Sequence, residues 1–160
     1  MQLYGSLTSP YVRKVRILLA EKSLPYDMIV SDAWAPDSPI PALNPLGKVP
    51  TLIGDDGQIW FDSGFLVEYI DAQRAPHLIP TSGFPRWEVL RWHALAQGLL
   101  DITVTRLLEG RRSDIQRSAL VLERQESKIA ATLRYAEAAL GPAGRAWLVS
   151  DALSLADISL

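Results

Sequence analysis

Apolar and polar residues change rhythm along this chain, and each change marks a different kind of element. Gln2 to Ser6 alternates in the manner of a half-buried strand, and Pro10 to Lys22 then carries apolar residues at helical spacing. Tyr26 to Ser31 reads as a second strand. Two further strands, Pro50 to Ile53 and Gln58 to Phe61, flank Gly54-Asp55-Asp56-Gly57, whose residues suit a hairpin turn. A helix running from Asp62 to Ala72 ends the series. The order β-α-β followed by β-β-α predicts a small mixed sheet whose first half is a right-handed parallel unit.

Beyond residue 85 the spacing is helical throughout. Trp87 to Glu109 sets Val89, Trp92, Ala96, Leu99, Thr103 and Leu107 on one stripe, and Ala119 to Leu140 distributes Leu120, Leu122, Ile129, Leu133 and Ala136 among charges. Ser154-Leu155-Ala156-Asp157 has the form of a capping box with aspartate in the acidic place, and Leu153 and Ile158 occupy the staple positions. A helix launched there has about one turn before Leu160, too short to stand alone, so the helical half reads as cut off. Between the halves, residues 76–85 are rich in breakers, and ten of the eleven prolines fall at or before Pro85. The expected organisation is an α/β domain over residues 1–75, a linker over 76–85 and an incomplete all-α domain over 86–160.

Composition narrows the function classes. With 160 residues, 48% apolar and 21% charged, the chain can bury a core. A net charge of -2 and a pI of 5.7 give no general attraction to nucleic acid or anionic membrane, and neither is expected as a partner. The one basic pair, Arg111-Arg112, is followed at once by Ser113-Asp114 and reads as a solvated helix end. The lack of cysteine excludes disulfides, thiolate-held zinc and a protein thiol as nucleophile. Neither a basic leader followed by an apolar stretch nor an apolar run of ~20 residues is present, so a cytoplasmic address is the expectation. His77 and His93 have no carboxylate arrangement near them in sequence, which argues against a metal site or a triad.

Three short stretches are candidates for chemistry. Thr8-Ser9-Pro10 stands where the first strand passes to the first helix, with Pro10 suited to the first helical position and Ser9 or Thr8 to the cap. The simplest role for such a Ser-Pro is capping alone. The third helical residue is Val12 rather than Glu or Gln, so the full capping box is absent and the hydroxyl is freer to face a ligand. Val49-Pro50 closes the segment Asn44-Pro45-Leu46-Gly47-Lys48-Val49-Pro50, just before an apolar strand. A proline can simply open a strand, but a cis bond would turn the Val49 N–H and C=O outward, toward an extended peptide. Asp62-Ser63 begins a helix, as either residue ordinarily does. A helix N-terminus also favours a bound carboxylate, and the acid could hold a ligand ammonium.

Together, the strand, the Ser-Pro helix, the segment Asn44 to Leu52 and the acid-Ser helix resemble the thioredoxin-like domain of the glutathione S-transferase family, of cytosolic, bacterial-like type. The helical half with Ser154-x-x-Asp157 resembles that family's C-terminal domain. The likeness spans essentially the whole chain. It implies a transferase that joins the glutathione thiolate to a small, electrophilic, apolar substrate in a detoxifying conjugation, with glutathione as co-substrate and no metal. It implies a homodimer formed through the helix after Asp62 and the helix bearing Trp87 and Trp92.

By the same likeness Pro50 is the family's cis-proline, and Val49 pairs through its backbone with the cysteinyl part of glutathione. Lys48 lies near the glycyl carboxylate, Ser63 receives the γ-glutamyl carboxylate, and Asp62 faces the amino group. Ser9 occupies the position of serine or cysteine in several bacterial and omega-like classes and Thr8 the serine position of others, so both are candidates to activate the thiol. Tyr11, Trp92 and Leu99 are candidate walls of a second-substrate pocket on helical periodicity, a spacing that fits ordinary core better. Glutamate is commoner than Asp62 before the binding serine, which shortens the reach to the amine by one methylene. The alternative is a non-catalytic member of the same architecture, similar to the stringent starvation proteins, which bind partners. Thiol-disulfide exchange is disfavoured by the missing cysteine.

Overall fold

The structure is a computed structural model that describes residues 1–141 and 144–160. It divides into two units, Met1–Ile79 and Pro80–Leu160. The first contains β1 (Gln2–Gly5), α1 (Pro10–Glu21), β2 (Asp27–Val30), α2 (Ile40–Leu43), β3 (Thr51–Ile53), β4 (Ile59–Trp60) and α3 (Ser63–Gln73). The sheet has the order β2-β1-β3-β4, with β1 parallel to β2 and antiparallel to β3, and β3 antiparallel to β4. This is the mixed sheet that the β-α-β and β-β-α order predicts. Leu3 and Leu52 face each other in register and are fully buried, as are Val12, Val15, Leu18 and Leu19 of α1 and Leu66, Val67 and Ile70 of α3. Gly5 lets α1 approach the strand, because a Cβ there would sit 2.5 Å from a methyl of Val12.

Helix α2 has no counterpart in the sequence expectation. Its four residues follow Pro39 and include Pro41, and such a short proline-bearing run carries no periodicity. Prolines are tolerated there because first-turn N–H groups need no helical partner.

The end of the first unit is tied down by a buried ion pair. Lys22, just past α1, sits 2.6 Å from Asp71 of α3, both nearly solvent-free. Lys22 Nζ also donates to the carbonyls of Arg74 (2.9 Å) and Pro76. Asp71 in turn accepts from the N–H groups of Leu78 (2.7 Å) and Ile79 (3.1 Å). Residues 76–79, within the stretch expected as linker, are therefore laid against the ends of α1 and α3. His77 Nδ1 lies 3.8 Å from the Asp71 carboxylate, a neighbour that the sequence spacing had not revealed.

The second unit holds α4 (Gly83–Gly110), α5 (Ala119–Leu140) and α6 (Leu155–Ser159). Helix α4 starts four residues before Trp87, since Pro85 falls in its first turn, where a missing N–H is harmless. Val89, Trp92, Ala96 and Leu99 of the expected stripe are buried, whereas Leu107 is exposed, as are Leu120 and Leu133 of α5. The core here is Trp92, Ala136, Leu148 and Ala156. The capping box forms as expected: the Ser154 N–H donates to Asp157 Oδ2 at 2.8 Å, and Asp157 Oδ1 also accepts from the Leu148 N–H at 2.8 Å. The carboxylate thus joins α6 to the segment before it.

Candidate functional site

The register of the sheet brings three separate stretches to one end. Strand β1 runs from Gln2 to Gly5 and delivers the chain to Ser9, so Ser9 follows its carboxyl end. Tyr4 pairs with Thr51, which sets the residues just before Thr51, namely Val49 and Pro50, beside that same end. Leu52 pairs with Trp60 in the antiparallel sense, so the chain leaving β4 through Phe61 to Asp62 and Ser63 returns toward it as well. Carboxyl ends of strands followed by helix N-termini are where α/β folds commonly hold ligands.

Ser9 is the N-cap of α1, its Oγ accepting from the Val12 N–H at 3.4 Å, with Pro10 at the first helical position. That bond engages a lone pair and leaves the hydroxyl proton available. Thr8 is exposed, and its Oγ1 lies 2.9 Å from Ser6 Oγ, with either able to donate. The Val49–Pro50 peptide bond is cis. Val49 is half-buried, and neither its N–H nor its C=O has a hydrogen-bond partner among the described residues. Lys48 has an exposed side chain, while its carbonyl accepts from Asn44 Nδ2 at 2.8 Å and Thr51 Oγ1 at 3.2 Å.

Asp62 is the N-cap of α3, Oδ1 accepting from the Gly64 N–H at 2.6 Å, and Ser63 is the buried first residue of that helix. Aspartate caps helices well, so the shorter acid found here in place of glutamate has a local reason. One carboxylate oxygen is thereby engaged in the cap.

The candidate pocket walls fall in different units. Tyr11 is half-buried on α1. Trp92 is 3% exposed and packs against Tyr135, ring centroids 5.4 Å apart, within the core of the second unit. Leu99 is buried two turns further along α4. A cavity of about 330 Å³ lined by Met1, Asp27, Ile53 and Asp55 opens at the amino end of β1, away from Ser9. Because it lies at the wrong end of the strands for Ser9, Val49 and Ser63, we do not take it as the site. Among the described residues no group of His, Asp and Glu could hold a metal ion, and no helix is long and apolar enough to cross a membrane.

Sequence reasoning passed over Asn44 and Thr51, which hold the loop before Pro50, and Ser6, which engages Thr8. Asn44 was findable, since Asn before Pro with Gly three positions on is a turn signature. Its side-chain Oδ1 takes the Leu46 N–H at 3.0 Å, its carbonyl takes the Gly47 N–H at 2.8 Å, and Gly47 has a φ of 60.

Residues 3–77 match the model of the glutathione S-transferase N-terminal domain. Along the whole chain it is 37% identical to an uncharacterized GST-like protein, YibF, of Escherichia coli K12, covering 78% of that protein. The chain belongs to the glutathione S-transferase family, and its first unit is the thioredoxin-like domain of that family. A glutathione S-transferase from Methylobacillus flagellatus KT, solved with GSH bound, superposes with a TM-score of 0.91 at 42% identity, covering 99% of this chain and 78% of that one. A stringent starvation protein A homolog of Pasteurella multocida is 39% identical over 77 residues, 48% of this chain and 35% of that protein. The curated relatives matched along nearly the whole chain are spanned over 65% to 78% of their length.

Proposed function

We propose that this protein binds glutathione at the carboxyl end of β1 and transfers its thiolate to a small, apolar electrophile. The observation that carries the reading is the shared end of the sheet, where a hydroxyl with a spare proton, a peptide edge and a helix N-terminus converge. In this reading the Val49 N–H and C=O pair with the cysteinyl residue of glutathione as an added strand. Ser63 and the α3 N-terminus receive the γ-glutamyl carboxylate, Asp62 Oδ2 faces the ammonium, and Lys48 faces the glycyl carboxylate. The relative with bound GSH supports this ligand.

A free thiol near pKa 8.5 is only about 3% ionised at pH 7, and the thiolate is the nucleophile. The Ser9 hydroxyl donates a hydrogen bond to the sulfur, whose own proton passes to solvent, with Thr8 the second candidate. No base is needed: a hydrogen bond to a charged acceptor contributes roughly 1.5 to 3 kcal/mol and the α1 N-terminus roughly 0.3 to 2, against about 2.7 for two units of pKa. Ionisation alone gives at most a few tens of fold at pH 7, so positioning of the electrophile supplies the rest. A homodimer is the proposed assembly.

The likeness to a stringent starvation protein A homolog favours a second reading, a partner-binding module of the same architecture. Calorimetry with glutathione, followed by a conjugation assay with a chlorodinitrobenzene, separates the two. Binding with turnover supports the transferase; no binding leaves the module.

A further inference from the structure

We propose that Asn44 and Thr51 are positioning residues that fix the direction of the Val49 N–H, and so set the strength with which the peptide edge docks glutathione; this rests on the functional reading above. The argument begins with peptide planarity. The Lys48 carbonyl and the Val49 N–H belong to one peptide unit, and that unit is trans, the cis bonds being Val49–Pro50 and Ala75–Pro76. In a trans unit the C=O and N–H point in opposite directions, so whatever holds the carbonyl aims the N–H.

The Lys48 carbonyl is held twice, by Asn44 Nδ2 at 2.8 Å and by Thr51 Oγ1 at 3.2 Å. Both donors are buried. Asn44 is 1% exposed and Thr51 0%, the Asn44 amide is anchored at its other end by the Leu46 N–H, and Thr51 lies in register with Tyr4 in the sheet. Turning the Val49 N–H would break both bonds to the carbonyl and leave two buried donors unpaired. The edge is therefore set before a ligand arrives, and a ligand that pairs with it orders less on binding.

The test compares Thr51→Val, Thr51→Ser and Asn44→Asp with the parent chain. The first removes the hydroxyl at constant shape, the second keeps the hydroxyl but loses a methyl, and the third keeps the acceptor for Leu46 while losing the donor. The measurements are glutathione affinity by calorimetry, the Val49 amide resonance on titration with glutathione, the thiolate absorbance of the bound ligand, and turnover at saturating glutathione.

Thr51→Val and Asn44→Asp are expected to weaken glutathione about five-fold, with a smaller Val49 amide shift. Turnover at saturation and the bound thiol pKa stay unchanged, because the lost interaction is the same in ground and transition states. Thr51→Ser binds as the parent does, although it is less stable. Equal weakening in Thr51→Val and Thr51→Ser, following their stability, overturns the positioning role, as does parental affinity in Thr51→Val. Failure of the parent itself to bind glutathione overturns the functional reading and this proposal together, and is recognised by the absence of any Val49 shift in the parent.

Discussion

Replacing Ser9 by alanine probes the chemistry and the fold through the same atom, and the two effects are expected at very different sizes. As a cap, Ser9 Oγ meets the Val12 N–H at 3.4 Å, well beyond the usual 2.9–3.0 Å of such bonds, so its loss is expected to destabilise by only about 0.5 kcal/mol, the low end for caps. As a donor to a thiolate, the same hydroxyl contributes roughly 1.5 to 3 kcal/mol, equivalent to about 1 to 2 units on the bound thiol pKa. If the parent holds that pKa near 6.5, about three quarters of the bound sulfur is ionised at pH 7, and Ser9→Ala lowers this to between about 3% and 25%. The assay is a pH titration of bound glutathione followed by ultraviolet thiolate absorbance, with a urea unfolding curve alongside.

The sign follows from linkage. A ligand whose pKa falls on binding releases a proton, so parental affinity for glutathione rises with pH between the bound and free pKa values and is level outside them. In Ser9→Ala that window narrows toward the free value, and the loss of turnover disappears above about pH 9, where both forms are ionised. A bound thiol pKa equal to that of free glutathione in the parent refutes the reasoning, and a shift confined to Thr8→Ala moves the donor to Thr8.

Three other perturbations have defined outcomes. Ser63→Ala is expected to weaken glutathione by roughly ten-fold or more, by loss of a hydrogen bond to a carboxylate, with near-parental stability; unchanged affinity in calorimetry contradicts the assignment. Asp71→Ala strands buried Lys22 and frees the Leu78 and Ile79 N–H groups, so urea unfolding should show a loss of about 3 kcal/mol, and a loss below about 1 shows the pair to be dispensable. Asp157→Ala removes the acceptor of the Leu148 N–H, the Ser154 N–H and the Ser154 hydroxyl. A loss of about 2 to 4 kcal/mol is expected in urea unfolding, and a loss below about 1 contradicts the role of the box.

Local signals carried much of this molecule. The strands, both long helices and the Ser154 box were legible because periodicity, caps and turn residues act over a few neighbours, and α5 spans the range Ala119–Leu140 that its spacing predicts. Asp62 and Ser9 were recognisable as helix starters for the same reason. Helix α2 was not legible, being four residues that follow Pro39 and include Pro41. The start of α4 was misjudged because Pro85 reads as a breaker everywhere except in a first turn.

What sequence alone determined was the elements other than α2, the family and the stretches that are candidates to touch a ligand. What tertiary structure decided was their meeting. That Val49 lies beside the end of β1 follows from Tyr4 pairing with Thr51, and that Ser63 returns to the same end follows from Leu52 pairing with Trp60. Strand register is a long-range choice, set by which faces bury together rather than by any local run of residues. The same holds for Lys22 with Asp71 and with the Arg74 carbonyl. Each bond is made by a group whose partner becomes near only when the chain has folded, and whose burial makes that partner necessary.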